Sequence, residues 1–220
     1  MTGRGPALLL THGFSGSSAD WGKLVGPLSE RYTVITWDLR GHGRSDSPAD
    51  PAAYSVEVSL ADMAALLDRA RAARAVIVGH SLGGYLSLAF HLAHRERVAA
   101  LVLLDTGPGY RKDDARAGWN RMVEERARAF EAKGPKSLGL ALAARGILAQ
   151  RDGSAIESLP TIAVPTLVVV GENDKTFLAG SRYMAEKVPG AKLEVIAGAG
   201  HSPQETHPED VLRVLRAHLR

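Results

Sequence analysis

Residues 76–86 read VIVGHSLGGYL, a β-branched run that ends in a serine set among glycines at positions 79, 83 and 84. No other stretch constrains the fold as tightly. Glycine weakens helices and strands alike, so three of them around one hydroxyl imply a backbone bend that a Cβ would obstruct. Gly79-His80-Ser81-Leu82-Gly83 has the spacing G-x-S-x-G, in which a strand turns sharply into a helix and presents a nucleophile at the carboxyl end of the strand. A serine there also faces backbone N–H groups and the positive end of the helix dipole, where an anion is favoured.

The flanking sequence supplies the strand and the helix, and repeats them. Apolar runs at 7–10, 33–37, 75–78, 98–104, 166–170 and 193–196 are mostly continuous rather than alternating, which suits parallel strands buried on both faces. Helices are expected between them at 20–30, 56–73, 82–94, 177–188 and 208–219. In the second of these, Leu60, Met63, Ala64 and Leu67 fall on one stripe that would face the sheet. Such alternation predicts an α/β fold with a mostly parallel, doubly wound sheet and right-handed crossovers. The rhythm breaks once, between 106 and 160, where no strand pattern occurs. Two helical pieces are expected there, at 115–133 and 136–150; the first carries Trp119, Met122, Val123 and Phe130 on one face and ends at Gly134-Pro135. Residues 1–105 and 161–220 are therefore read as a core, and 106–160 as a helical cap over one end of the sheet.

Composition closes off several functions. The absence of cysteine excludes disulfides, thiolate catalysis and cysteine-ligated metals. A net charge of +3 without a dense Lys/Arg run interleaved with aromatics argues against nucleic-acid binding. The first apolar stretch, at 7–10, is too short for a signal peptide or a membrane span, so a cytoplasmic protein is expected.

A serine hydroxyl at neutral pH needs a positioned base. Of eight histidines, His91 and His94 fall near a helix end and are expected to face solvent. His207 and His218 belong to the last helical segment and are expected at the surface, and His80 sits beside the serine rather than above it. His201 differs, because its loop AGAGHSPQ follows the last strand, where loops converge at the catalytic edge of such sheets. An imidazole base works best with a carboxylate that fixes its tautomer. Asp105 and Asp174 both stand at strand ends, with Glu172 a lesser rival; the chain order Ser, Asp, His favours Asp174. For the oxyanion, the Leu82 N–H follows the nucleophile directly. The second donor is expected from the loop after the first strand, at Phe14, with Ser15 as the fallback.

With THGFSGS, WDLRGHGRSD, VGHSLGG, VPTLVVVGENDK and GAGHSPQETHPE in order along nearly the whole chain, the sequence resembles the α/β-hydrolase fold superfamily. The finer resemblance is to its esterase, enol-lactonase and carbon–carbon hydrolase branch. The resemblance implies a structural role for Asp38, Arg40, His42 and Ser45, and serine at position 81 argues against the aspartate-nucleophile dehalogenases and epoxide hydrolases. Such proteins usually begin with two antiparallel strands, yet six residues precede the first apolar run here, so either those strands are absent or the chain is a truncated or engineered form. A sheet edge left bare this way would be open to pairing between chains, so a monomer or a homodimer is expected. The expected function is hydrolysis of a small-molecule ester or related acyl compound by Ser81, His201 and Asp174, with Phe14 and Leu82 amides holding the oxyanion. No metal or organic cofactor is needed. The same machinery would serve a lactone, a carbon–carbon bond or perhydrolysis, and a low-turnover receptor would keep it too. Trp37, Trp119, Met122 and Phe130 are the candidate pocket residues.

Overall fold

Six of the apolar runs become strands: β1 (Ala7–Thr11), β2 (Thr33–Trp37), β3 (Ala75–His80), β4 (Val98–Leu104), β5 (Thr166–Gly171) and β6 (Lys192–Ile196). The computed structural model describes residues 1–219. Every neighbouring pair is parallel, in the order β2-β1-β3-β4-β5-β6. Successive side chains of a strand point to opposite faces, so the continuous runs feed two cores at once. Leu8, Leu10, Val76, Val78, Val102 and Val169 pack against Trp21, Leu24 and Leu28 at α1 (Gly22–Ser29). Leu9, Ile77, Leu101, Leu103 and Val168 pack on the other face, against Leu60, Met63 and Leu67 of α2 (Val56–Arg69) and Leu86 and Phe90 of α3 (Leu82–Ala93).

Between β4 and β5 no strand forms among the described residues. The chain instead makes α4 (Asp113–Glu131), α5 (Leu138–Ala143) and the short α6 (Ser154–Ser158). The second helical piece expected here is not one helix: a 3₁₀ turn at Pro135–Ser137 leads into α5, which ends in a single π turn at Ala144–Leu148. Arg145 in that turn bonds Glu124 and Glu131 of α4, which ties the two pieces together. After β5 come α7 (Leu178–Lys187), whose Met184 joins the α2–α3 core, then β6, α8 (Pro203–Thr206) and α9 (Pro208–His218). Val211, Leu212 and Leu215 of α9 complete the α1 side.

His91, expected to face solvent, is only 3% exposed. The reason is that α3 is flanked by the sheet, α2 and α6, so a position near its end is covered from several sides. At the outer edge of β2, Thr2 and Val34 exchange two backbone hydrogen bonds in one antiparallel bridge, and no antiparallel strand flanks β2 among the described residues. No helix among the described residues is long and apolar enough to cross a membrane.

The strand order reverses between β1 and β3, because the chain leaves β1 toward β2 and returns on the opposite side. The crevice outside the carboxyl ends of strands at such a switch point is where ligands bind in open α/β sheets. Ser81 and Phe14 both lie there, immediately beyond β3 and β1.

Candidate active site

Ser81 has φ 51° and ψ −116°, a left-handed conformation that costs a non-glycine residue about 1–3 kcal/mol and persists only where its surroundings impose it. Here the backbone imposes it. Ser81 N–H donates to the Leu104 carbonyl at 2.9 Å, and the Ser81 carbonyl accepts from Gly84 N–H at 2.9 Å and from the Thr106 hydroxyl at 2.6 Å. A Cβ on Gly79 would stand 2.1 Å from the Gly83 carbonyl oxygen, and one on Gly83 would stand 2.1 Å from that of Thr11. The glycines are present because β1, β3 and the start of α3 meet backbone to backbone.

Above this bend the side chains form a line. His201 Nε2 lies 3.1 Å from Ser81 Oγ, and its Nδ1 lies 2.7 Å from Asp174 Oδ2. A carboxylate only accepts, so Nδ1 carries the proton and Nε2 is left to receive one from Ser81. The other Asp174 oxygen accepts the Thr176 and Phe177 N–H groups, each at 3.2 Å, in a site 4% exposed. Phe177 stacks on the His201 ring at 5.1 Å and 21°. His80 donates Nε2–H to the His201 carbonyl at 2.6 Å. Burial, with His201 adding, pushes His80 down to about 4, so it works as a neutral strut. Sequence reading placed His80 beside the serine but did not foresee that it anchors the loop that carries His201.

Asp105, the rival acid, lies behind this line. It is fully buried with φ 44°, and its Oδ1 accepts the Gly171 N–H at 2.8 Å. Its other oxygen has no partner among the described residues. Burial, with the Asp174 carboxyl adding, pushes Asp105 up to about 9, so it is a neutral acid at pH 7. Asp105, Asp174 and His201 bring donor atoms within 4.8 Å of one another. With Nδ1 protonated toward Asp174 and Asp105 neutral, the trio does not present the deprotonated donor set that a metal ion takes. Glu172 serves the loop instead, accepting the Gly198 N–H at 2.8 Å.

Neither the Leu82 nor the Phe14 N–H has an acceptor among the described residues. Leu82 opens α3, where the first amides have no intrahelical partner. The Phe14 loop is set by His12. Leu39 N–H donates to His12 Nε2 at 3.0 Å, so the proton sits on Nδ1 and is given to the Gly13 carbonyl at 2.7 Å. Burial lowers the His12 pKa and keeps the ring neutral. Asp38 braces the same region by accepting the Ser18 and Arg44 N–H groups at 2.6 and 2.9 Å.

A cavity of about 240 Å³ opens beside Ser81, walled by Tyr85, Tyr110, Trp119, Gln150 and Phe177. Of the four candidate pocket residues only Trp119 lines it. Trp37 hydrogen-bonds Thr11 through Nε1 and faces a separate cleft with Arg40 and Asp62. Met122 is 42% exposed, because the buried face of α4 runs through Val123 and Ala127. Phe130 packs edge-on against Phe14 at 5.8 Å, so it braces the loop carrying the second amide. Tyr85, Tyr110, Gln150 and Phe177 were not foreseen. Only Tyr85, one helical turn past Ser81, carried a positional signal.

The family model described as "Alpha/beta hydrolase family" matches residues 8–214. The pimeloyl-[acyl-carrier protein] methyl ester esterase of Aeromonas hydrophila is 27% identical, over 97% of this chain and 95% of its own. A thermophilic esterase from Thermogutta terrifontis superposes with a TM-score of 0.85 at 30% identity, covering 100% of this chain and 91% of that one. MenH from S. aureus superposes with a TM-score of 0.90 at 21% identity, over 97% and 93% of the two chains, a likeness of fold.

Proposed function

Because this chain belongs to the alpha/beta hydrolase family, we propose that it is a serine hydrolase that cleaves small carboxylic esters through an acyl-enzyme on Ser81. The observation that carries this reading is the hydrogen-bonded line from Ser81 through His201 to Asp174, with two vacant N–H groups at the same crevice. Ser81 Oγ attacks the ester carbonyl while His201 Nε2 takes its proton. The Asp174 carboxylate holds the tautomer that allows this and stabilises the imidazolium that results. Negative charge gathers on the former carbonyl oxygen, where the Leu82 and Phe14 amides receive it; each such donor is worth about 3–4 kcal/mol in the transition state. His201 then protonates the departing alkoxide, and the alcohol leaves. A water, deprotonated by the same Nε2, attacks the acyl-enzyme and releases the acid with Ser81 restored. The esterase relatives support the ester as the substrate class.

Steady-state hydrolysis of p-nitrophenyl esters from acetate to octanoate, beside Ser81→Ala, tests this. The wild type should turn over, with its optimum among short acyl chains as a cavity of about 240 Å³ requires. The variant should fall by a factor on the order of 10⁴ or more. Equal rates for the two proteins would refute the reading.

A further inference from the structure

The cavity beside Ser81 has no charged side chain among its lining residues, yet one wall carries an amide whose orientation is fixed. Gln150 is 8% exposed. Its Oε1 accepts the Tyr110 N–H at 3.1 Å, and a backbone N–H can only donate, so the amide cannot be turned over. Its backbone is fixed as well: Gln150 N–H donates to Asn120 Oδ1 and the Asn120 amide donates back to the Gln150 carbonyl, both at 2.8 Å. The Gln150 side-chain NH₂ is therefore left facing away from Tyr110; it has no acceptor among the described residues and is not one of their fully buried unpartnered atoms, so it is open to the cavity that Gln150 lines. In a wall otherwise made largely of aromatic, aliphatic and small side chains, this is a donor of fixed orientation on a nine-tenths buried side chain, available to whatever enters the cavity.

We propose that Gln150 determines specificity for the reaction described above, selecting short neutral acyl groups that carry a hydrogen-bond acceptor, such as a ketone or amide carbonyl, away from the scissile bond. The inference rests on the hydrolase reading. The Thr106 hydroxyl is already given to the Ser81 carbonyl. The Tyr85 hydroxyl, also without a partner among the described residues, both donates and accepts and so does not distinguish an acceptor from a donor. The free end of Gln150 only donates. A carboxylate would accept too, but the lining offers no cation to offset its burial. That disfavours an acidic acyl group and leaves a neutral carbonyl as the best match.

The test compares p-nitrophenyl 5-oxohexanoate with hexanoate, each kcat/KM divided by the rate of that ester with hydroxide, and adds the monoglutarate ester as the anionic arm. Wild type should prefer the oxo ester about ten-fold over hexanoate, and the anionic ester should be the poorest. Gln150→Glu keeps an acceptor for the Tyr110 N–H and removes the free donor, and Gln150→Met removes both. At pH 8 each should bring the oxo preference, read as the ratio of the two normalised kcat/KM values, to within about two-fold of unity. Hexanoate turnover also reports that each variant is folded. An unchanged ratio in both variants, or an equal fall on both esters, makes Gln150 only a tie between Tyr110 and Asn120 and overturns the inference. A wild-type preference for the anionic ester overturns its chemistry. If the wild type cleaves no ester at all, the hydrolase reading itself fails first.

Discussion

On the floor of the cavity Ser81 is fixed by backbone, from the Leu104 carbonyl below it to the Gly83 and Thr11 carbonyls that leave no space for a Cβ. In the roof the fixing is done by side chains: Trp119 donates its ring N–H to the Leu148 carbonyl at 2.9 Å, and Asn120 pairs with the Gln150 backbone. Backbone contacts tolerate no added atom, whereas side-chain contacts can be exchanged one at a time without moving the strands. The chemistry is thereby separated from the selection of substrate, and the two regions should answer mutation differently.

The sharpest break is Gly83→Ala. Its new Cβ would lie 2.1 Å from the Thr11 carbonyl oxygen, a clash that neither β1 nor α3 can relieve. We expect a loss of about 3 kcal/mol or more, above the usual range for overpacking, read as a collapse of the urea midpoint; a midpoint within 0.2 M of wild type would deny the backbone account. Asp174→Asn strikes the rate instead of the stability. Its amide would present a donor or the wrong tautomer to His201 Nδ1, and kcat should fall on the order of 10⁴-fold with stability little changed.

The same substitution at Asp105 should behave otherwise. That carboxyl is already neutral at pH 7, held up to about 9 by burial and then by Asp174. Asparagine keeps an acceptor for the Gly171 N–H. Activity should stay within about five-fold of wild type, in keeping with a group that takes no proton in the cycle. The stability effect has a definite sign. A folded pKa above the unfolded one means that the native state holds more protons between the two values. The contribution of Asp105 is thus present below about pH 4 and lost as pH rises toward about 9. The thermal midpoint of Asp105→Asn relative to wild type should therefore climb from pH 5 to pH 8, and a flat difference would contradict the burial argument. Smallest is Gly118→Ala in α4, where an added Cβ meets only Arg121 Nη2 at 3.8 Å. Exposed helix propensity predicts a gain of about 0.5–1 kcal/mol, the opposite sign to Gly83→Ala.

The same division explains what the sequence revealed. Gly79, Gly83 and the order Ser81, Asp174, His201 were legible because a bend without room for a Cβ admits one residue type, and because strand ends converge whatever their side chains. The four inner strands were legible because burial on both faces leaves almost no polar position, and the edge strands β2 and β6, which keep Thr33, Thr36, Lys192 and Glu194, from the apolar residues that remain. The pocket was not. Trp119, Met122, Val123 and Phe130 share a helical stripe, but how α4 is rotated on the core decides which of them reaches the cavity, and that follows from packing far along the chain. Tyr110 and Gln150 lie outside regular helix and strand, where no period applies. His91 was misplaced because α3 is covered by the sheet, α2 and α6 together, and the last of these, a helix of five residues, has too short a signal to read. His80 showed its position but not its task, since its partner is a backbone carbonyl 121 residues away.

The most direct test of the central claim is covalent. Wild-type protein treated with a p-nitrophenyl alkylphosphonate should gain one phosphonyl group per chain, carried on the peptide that contains Ser81, with loss of esterase activity in step with the mass change. Ser81→Ala should take up none. Modification at another residue, or ester turnover that survives full modification of Ser81, would contradict the account.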